Sequence, residues 1–218
     1  MVWTINEKGW ICGDASITQM PRPKIEHGAL LHVNGIIVHQ TDSPTARATL
    51  NAYSNGGAGA HFLIDRDGNT YQVASLKKKT WHVGKLRAKC VASHTCSKAE
   101  FKLFRDSTNT EIYHHEMHKS VPVRLPSNED SVGIELVARC ILDAKYIKPD
   151  LTTEDIQKLT ANFGVFETVT PAQNTALDVL IQNIQASLHV PVAEVYSHPE
   201  VSMKNITEAS SAQWPGRK

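Results

Sequence analysis

The sequence has neither the long apolar run typical of a membrane-spanning helix nor the pattern typical of a secretion signal. The 218 residues contain no run of about 18 consecutive apolar side chains. The first residues also lack a basic start followed by an apolar stretch. We therefore expect no membrane contact and synthesis in the cytoplasm. Any delivery to the periplasm or release from the cell would use a route that needs no signal peptide.

An excess of charge of one sign is also missing. Lysine and arginine together number 23 against 22 aspartates and glutamates, which gives a net charge of +1. Proteins that bind DNA or RNA usually carry a basic surface that meets the phosphate backbone. The composition therefore argues against a nucleic-acid partner. The sequence has no internal repeat, and its length suits one domain with insertions.

Cysteine is scarce, whereas histidine is abundant. The four cysteines are Cys12, Cys90, Cys96 and Cys140. Cys90 and Cys96 are close enough in the chain to form a disulfide, but reduced thiols are equally compatible with a chain that has no export signal. The 11 histidines point to metal or acid–base chemistry, because imidazole commonly performs both.

Apolar runs and turn residues predict the strands. Buried strands are expected at residues 35–40 (GIIVHQ), 131–138 (SVGIELVA) and 192–196. The segment AHFLIDRDGNTYQVAS is typical of a hairpin that turns at Asp67-Gly68.

Helices are expected between these strands. Ser43-Pro44, Thr152 or Thr153, and Thr170-Pro171 are typical helix starts. Residues from about 85 to 130 are polar and poorly periodic, so we interpret them as a long insertion with a helix near 109–119. Alternating strands and helices predict an α/β fold: a single domain with a central mixed β-sheet flanked by helices.

Two histidines lie where predicted strands end. His39 closes the run at 35–40, and His198 follows the strand at 192–196. Side chains at the carboxyl ends of adjacent parallel strands meet at one edge of a sheet. A catalytic zinc ion needs three protein ligands and an open position. Glu208, ten residues after His198, could supply the third ligand if its loop folds back.

Five sequence blocks occur in one order between residues 35 and 208: GIIVHQTDSPTARATLNAY, GAHFLIDRDGNTYQ, TWHVG, SVGIELV and VYSHPEVSMKNITE. Together they resemble the zinc-dependent N-acetylmuramoyl-L-alanine amidases of the amidase type 2 fold, which peptidoglycan recognition proteins share. The resemblance implies an amidase domain at 35–218, with insertions at about 85–130 and 139–169. Residues 1–34 would then form an N-terminal extension.

The resemblance implies His39, His198 and Glu208 as ligands of Zn2+. The family's third ligand is an aspartate or a cysteine, and no cysteine follows Cys140. Glu208 stands where the aspartate form has its carboxylate. Glu200 is a poorer substitute, because it lies only two residues after His198.

The resemblance also assigns catalytic roles. Glu135 matches the family's catalytic glutamate, and Ala60 replaces the tyrosine that other members use instead. The family's oxyanion-stabilising lysine corresponds to Ile206 here. Lys204 is the nearest lysine, and Thr207 or a backbone N–H group is the alternative.

Three further residues are implied as substrate contacts. His61, Trp81 and His82 match positions in the groove that binds the sugar and the stem peptide. Trp81 fits a stacking surface and a core position equally well. His114 and His118 have the spacing of a helical metal chelate, although a solvated polar face explains them more simply.

The resemblance implies hydrolysis of the amide bond between N-acetylmuramic acid and L-alanine, with peptidoglycan or muropeptide as substrate. The alternative is a recognition module of the same fold that binds muropeptide without cleaving it. Three biological settings remain open: a recycling enzyme, a phage endolysin, and an antibacterial toxin. A toxin would have an immunity protein or a secretion-system carrier as a partner.

Overall fold

Short strands and helices alternate over residues 3–217, which the computed structural model describes. The strands are β1 (Thr4–Ile5), β2 (Ile11–Cys12), β3 (Ile17–Gln19), β4 (Glu26–Ala29), β5 (Gly35–Gln40), β6 (Phe62–Ile64), β7 (Thr70–Gln72), β8 (Lys78–Thr80), β9 (Ser131–Leu136), β10 (Cys140–Ile141), β11 (Val165–Phe166) and β12 (Val195–Ser197). The α-helices are α1 (Ala46–Tyr53), α2 (Lys89–Ala92), α3 (Lys98–Asp106), α4 (Asn109–Met117), α5 (Thr153–Phe163), α6 (Pro171–Leu188) and α7 (His198–Val201). Short 3-10 turns cover Pro23–Ile25, Ala144–Tyr146 and Val192–Glu194.

Six strands form one mixed sheet in the order β12-β5-β9-β6-β7-β3. The strands β12, β5, β9 and β6 run parallel to one another, and β7 returns antiparallel to β6. The predicted hairpin therefore exists, and Gly68 in its turn has a φ of +89°, which suits glycine. Helices pack on both faces of this sheet, so the predicted α/β architecture is confirmed.

The two faces of the sheet have different roles. Ile36 and Val38 of β5 pack with Leu177 and Ile181 of α6 in the main core, and all four side chains are buried. Because successive residues of a strand point to opposite faces, Ile37 and His39 face away from α6. One face of β5 is therefore structural, and the other is free to carry a site.

Helix boundaries follow local capping. Thr170 caps α6 through a reciprocal pair of bonds with Gln173, as its sequence predicts. Helix α1 is capped by Thr45 instead of Ser43, so it begins two residues later than expected. The last strand begins at Val195, because a 3-10 turn occupies the three residues before it. In the described part of the chain, no helix has the length and hydropathy needed to cross a bilayer.

The segment before residue 35 packs as part of the same body. Strand β3 forms the edge of the main sheet beside β7, and β4 pairs with β8. The predicted division at residue 34 therefore separates the motif-bearing sequence from the rest without marking a break in the sheet.

The insertion at 85–130 contains three short helices. Helix α4 lies where a helix was expected, and α2 and α3 precede it. Cys90 and Cys96 form a disulfide that closes the loop between α2 and α3. Of the two alternatives for this cysteine pair, the structure has the bonded one, whereas Cys12 and Cys140 are free thiols.

Candidate active site

Two histidines meet at one edge of the sheet because their strands are neighbours. Strands β12 and β5 are parallel, with Ser197 opposite Val38. The next residues, His198 and His39, therefore reach the same edge, and their ring centroids are 4.2 Å apart. Both rings are buried. The spacing of these histidines in the sequence led to the same expectation.

Glu208 completes a cluster of three. Its Oε1 lies 2.9 Å from Nδ1 of His198 and 3.5 Å from Nδ1 of His39. The loop that carries Glu208 is tied to the end of β5, because Ala209 N donates to Oε1 of Gln40 at 2.7 Å. One ligand atom from each of the three residues lies within 4.8 Å of the others. The loop thus absorbs the extra methylene that distinguishes glutamate from aspartate.

Glu200, the other carboxylate considered from the sequence, is used elsewhere. Its Oε2 accepts hydrogen bonds from the backbone N and from Oγ of Ser197, both at 2.6 Å. These bonds cap the short helix α7. Glu200 is therefore committed to a helix terminus, which leaves Glu208 as the carboxylate of the cluster.

The chemistry of this cluster suits a zinc ion. Burial, followed by the charge of His198, lowers the pKa of His39 to about 4, so its imidazole is neutral at neutral pH. Burial alone would raise the pKa of Glu208, but the hydrogen bond from His198 and the proximity of His39 lower it to about 2. Two imidazoles and one carboxylate form a common ligand set of catalytic zinc. The residues present therefore fit that metal.

Glu135 lies beside His39 on the next strand. The two residues are directly opposite in the register of β5 and β9, so their side chains share a face of the sheet. Oε2 of Glu135 is buried and has no hydrogen-bond partner among the described residues. Burial, then the charge of Glu208, raises the pKa of Glu135 to about 8. A buried carboxylate oxygen without a partner is costly unless it has a chemical use.

Within residues 3–217, Lys204 is the one lysine whose charge lowers the pKa of both His39 and Glu135. Lys204 lines a cavity of about 730 Å³ together with Glu208 and residues of the 139–169 insertion. Ile206 is 80% exposed, and Thr207 Oγ1 is bonded to Asn205 Oδ1 at 2.7 Å. The oxyanion-stabilising role of Lys204 stays a prediction.

His61 does not occupy the place that the sequence predicted for it. Its ring is 0% exposed. Nε2 donates to the carbonyl of Lys78 at 2.9 Å, and Nδ1 accepts from the backbone N of Gly133 at 3.1 Å. Both ring nitrogens are thus used inside the protein, so the predicted substrate contact by His61 is wrong for this structure.

His82 and Trp81 point in different directions. His82 is buried, and its Nδ1 lies 3.0 Å from Nε2 of His39. It therefore contacts a member of the cluster instead of lining an open groove, which corrects the predicted substrate contact. Trp81 is 53% exposed and stacks on His27 with ring centroids 3.6 Å apart. Trp81 is therefore a surface aromatic, and its contact with substrate stays a prediction.

The second histidine pair of the sequence forms no metal site in the described residues. His118 Nδ1 donates to the backbone carbonyl of His114 at 2.7 Å, and both residues lie on the exposed face of the insertion. The cluster of His39, His198 and Glu208 is the one group able to hold a metal that was found over residues 3–217.

Comparison with known proteins gives a family. The family model described as N-acetylmuramoyl-L-alanine amidase matches residues 29–217. No curated protein sequence matches the chain.

Several solved structures are similar. A selenomethionine derivative of AmpD is 16% identical, with 99% of this chain and 90% of that chain covered and a TM-score of 0.48. The amidase AmiD from E. coli, in complex with anhydro-N-acetylmuramic acid-L-Ala-D-γ-Glu-L-Lys, is 16% identical over 78% of this chain and 49% of that chain (TM-score 0.49). The catalytic domain of XlyA is 18% identical over 86% and 87% of the two chains (TM-score 0.49). These identities and scores are low, so the assignment depends on the family model. Because that model covers most of the sequence, the chain belongs to the N-acetylmuramoyl-L-alanine amidase family of amidase type 2.

Proposed function

We propose that this protein is a zinc-dependent amidase that hydrolyses the bond between N-acetylmuramic acid and L-alanine in peptidoglycan or its fragments. The observation that carries the proposal is the cluster of His39, His198 and Glu208, with Glu135 on the same face of the sheet. The buried Oε2 of Glu135 has no hydrogen-bond partner among residues 3–217. Membership of the amidase family supports the reaction class.

The three clustered residues would hold zinc, and Glu135 would move protons. A zinc ion, when bound, supplies Lewis acidity, which polarises an amide carbonyl and makes water a stronger acid. Glu135 would take a proton from the attacking water as the water oxygen adds to the carbonyl carbon. It would return that proton to the nitrogen as the C–N bond breaks. The products are a lactyl carboxylate and a stem peptide with a free amino group on L-alanine.

Lys204 would stabilise the negative charge that develops on the carbonyl oxygen. We expect Lys204→Met to lower kcat by about 10²-fold with little change in KM, because loss of one oxyanion donor costs about 10²–10³. Steady-state kinetics on soluble muropeptide measure this. Lys102→Met, a change at an exposed lysine of α3, is the matched control. A wild-type kcat for the Lys204 variant would remove Lys204 from the mechanism.

The identity of the products tests the proposed reaction. Purified protein is incubated with sacculi and, separately, with soluble disaccharide peptides, and the products are analysed by mass spectrometry. Free stem peptides that begin at L-alanine are expected from at least one substrate. Binding of muropeptide without cleavage of either substrate would favour the alternative, a recognition module of the same fold.

We also propose that the protein works outside the cytoplasm. The Cys90–Cys96 disulfide supports an oxidising compartment, and intact peptidoglycan lies there. Expression in bacteria with a fused export signal should cause lysis, whereas cytoplasmic expression should not. The Glu135→Gln variant with the same signal is the control and should be harmless. Equal tolerance of exported wild-type protein would contradict a lytic role and favour a recycling enzyme that acts on fragments.

A further inference from the structure

A chain of hydrogen bonds leads away from the metal-binding cluster into the protein. Nε2 of His39 lies 3.0 Å from Nδ1 of His82. Nε2 of His82 lies 3.2 Å from Oγ of Ser131, and that hydroxyl donates to the backbone carbonyl of Ser127 at 2.5 Å. All three side chains are buried. The chain therefore runs from a proposed metal ligand to a backbone carbonyl without reaching solvent.

The carbonyl at the end of this chain fixes the direction of every bond in it. A carbonyl oxygen can only accept, so the proton of Ser131 Oγ must point at Ser127. Ser131 Oγ then accepts from His82, which places the ring proton of His82 on Nε2. Nδ1 of His82 is consequently an acceptor, and it takes its bond from Nε2–H of His39.

This direction leaves Nδ1 of His39 without a proton. That atom faces Oε1 of Glu208 at 3.5 Å, so a lone pair and a carboxylate oxygen face each other across the cluster. We propose that His82 is a positioning residue that holds His39 in the Nε2–H tautomer, with Nδ1 ready to ligate zinc. This inference rests on the proposed function, because it deepens the account of the same metal site.

The ring of His82 is seated so that it cannot easily turn. A Cβ placed on Gly133 would lie 2.7 Å from both Cγ and Nδ1 of that ring, so the ring packs directly on the glycine backbone of β9. Asn128 holds the backbone on either side, because its Oδ1 accepts from the N atoms of His82 (2.9 Å) and Val83 (2.7 Å). The residues just before Glu135 therefore hold both the ring and the backbone of His82 in place.

The second histidine of the cluster has no such support. Nδ1–H of His198 donates to Glu208 Oε1 at 2.9 Å, and the buried Nε2 of His198 has no partner among the described residues. His198 must therefore move a proton before its Nδ1 can bind a metal. Only His39 is prepared in advance, which makes His82 specific to one ligand of the site.

The tautomer of His39 in the metal-free protein is the direct test. Long-range 1H–15N NMR spectra of uniformly labelled protein at pH 8, where an unperturbed imidazole is neutral, distinguish the two forms. We expect His39 as a single Nε2–H tautomer. A proton on Nδ1, or an equal mixture of both tautomers, would overturn the proposal. This measurement needs no variant and no bound metal.

Variants provide a second test through zinc affinity, measured by competition with a chromophoric chelator. We expect His82→Phe to weaken zinc binding about 10–100-fold, as loss of an outer partner of a metal ligand does. His82→Gln should recover most of the affinity, because an amide can accept from His39 and donate to Ser131. Ser131→Ala should weaken binding about 5-fold, the value of one hydrogen bond.

Ser75→Ala is the matched control for Ser131→Ala. Ser75 is also a buried serine that donates to a backbone carbonyl, that of Lys8 at 2.6 Å, and it has no part in the cluster. Zinc affinity should not change in this variant. Wild-type zinc affinity in His82→Phe would overturn the inference.

The result for the wild-type protein separates this inference from the proposed function. If wild-type protein binds no zinc, the proposed function fails, whereas the NMR result still decides the tautomer of His39. If wild-type protein binds zinc and His82→Phe binds it equally well, only the role of His82 is wrong.

Discussion

Glutamine in place of Glu135 should lower kcat by about 10²–10⁴-fold, the usual contribution of a general acid–base residue, while zinc binding stays intact. The amide has nearly the same shape but cannot accept a proton from water. Kinetics on soluble muropeptide and zinc competition measure the two quantities. Glu129→Gln is the matched control. Glu129 is an exposed glutamate that lies just before β9 and pairs with Lys79. A kcat near that of the wild type would exclude Glu135 as the base.

The same substitution should stabilise the metal-free protein, with a defined dependence on pH. Burial raises the pKa of Glu135 from 4.5 to about 8, so the ionised side chain destabilises the folded state. This destabilisation is absent below about pH 4.5, grows as pH rises, and is complete above about pH 8. Glu135→Gln should therefore raise Tm at pH 8 and leave it unchanged at pH 4. An equal effect at both values would show that the carboxylate charge is not the cause.

Alanine in place of Glu208 should remove both zinc binding and activity. Two histidines alone leave the metal without its third protein ligand, and loss of the Lewis acid is worth several kcal/mol. We therefore expect kcat/KM to fall by at least about 10³-fold. Glu208→Asp should retain part of both functions, because it keeps a carboxylate. Zinc competition and kinetics measure the effect, and a Glu208→Ala enzyme that still binds zinc tightly would contradict the assignment.

A loss of folding must be distinguished from a loss of the ligand in that experiment. Glu194 is also a buried glutamate, and it pairs with Lys89 at 3.0 Å away from the cluster. Glu194→Ala should lower stability but leave zinc affinity per folded molecule unchanged.

In the metal-free protein the low pKa of Glu208 stabilises the folded state above pH 4.5, and this contribution is lost as pH falls through about 2.

The ends of the strands could be predicted from the sequence because the signals there are local. The run before His39 is apolar and rich in β-branched residues, so it predicts a buried strand. Parallel neighbours then bring His39 and His198 to one edge. Glu135 is a carboxylate inside another such run, and its cost in that position marks it as functional. The two histidines of the cluster and the proposed base could therefore be predicted from the sequence.

The surroundings of the cluster could not be predicted in the same way. Sequence adjacency put Trp81 and His82 together in one predicted groove, but alternation along an extended backbone sends one ring outward and the other to His39. Both ring nitrogens of His61 form hydrogen bonds with the backbone of Lys78 and Gly133, which lie 17 and 72 positions away in the sequence. Only the three-dimensional arrangement of β6, β8 and β9 determines these partners. Short, exposed helices such as α2 have too little apolar periodicity to be found at all.

Zinc-dependent cleavage of peptidoglycan is the central claim, and reconstitution tests it most directly. Sacculi and soluble disaccharide peptides are treated with purified protein, with chelator-stripped protein, and with stripped protein that has received one equivalent of zinc. The account predicts stem peptides beginning at L-alanine in the first and third reactions and none in the second. Cleavage that survives complete removal of the metal, or one bound zinc per chain without cleavage of either substrate, would contradict it.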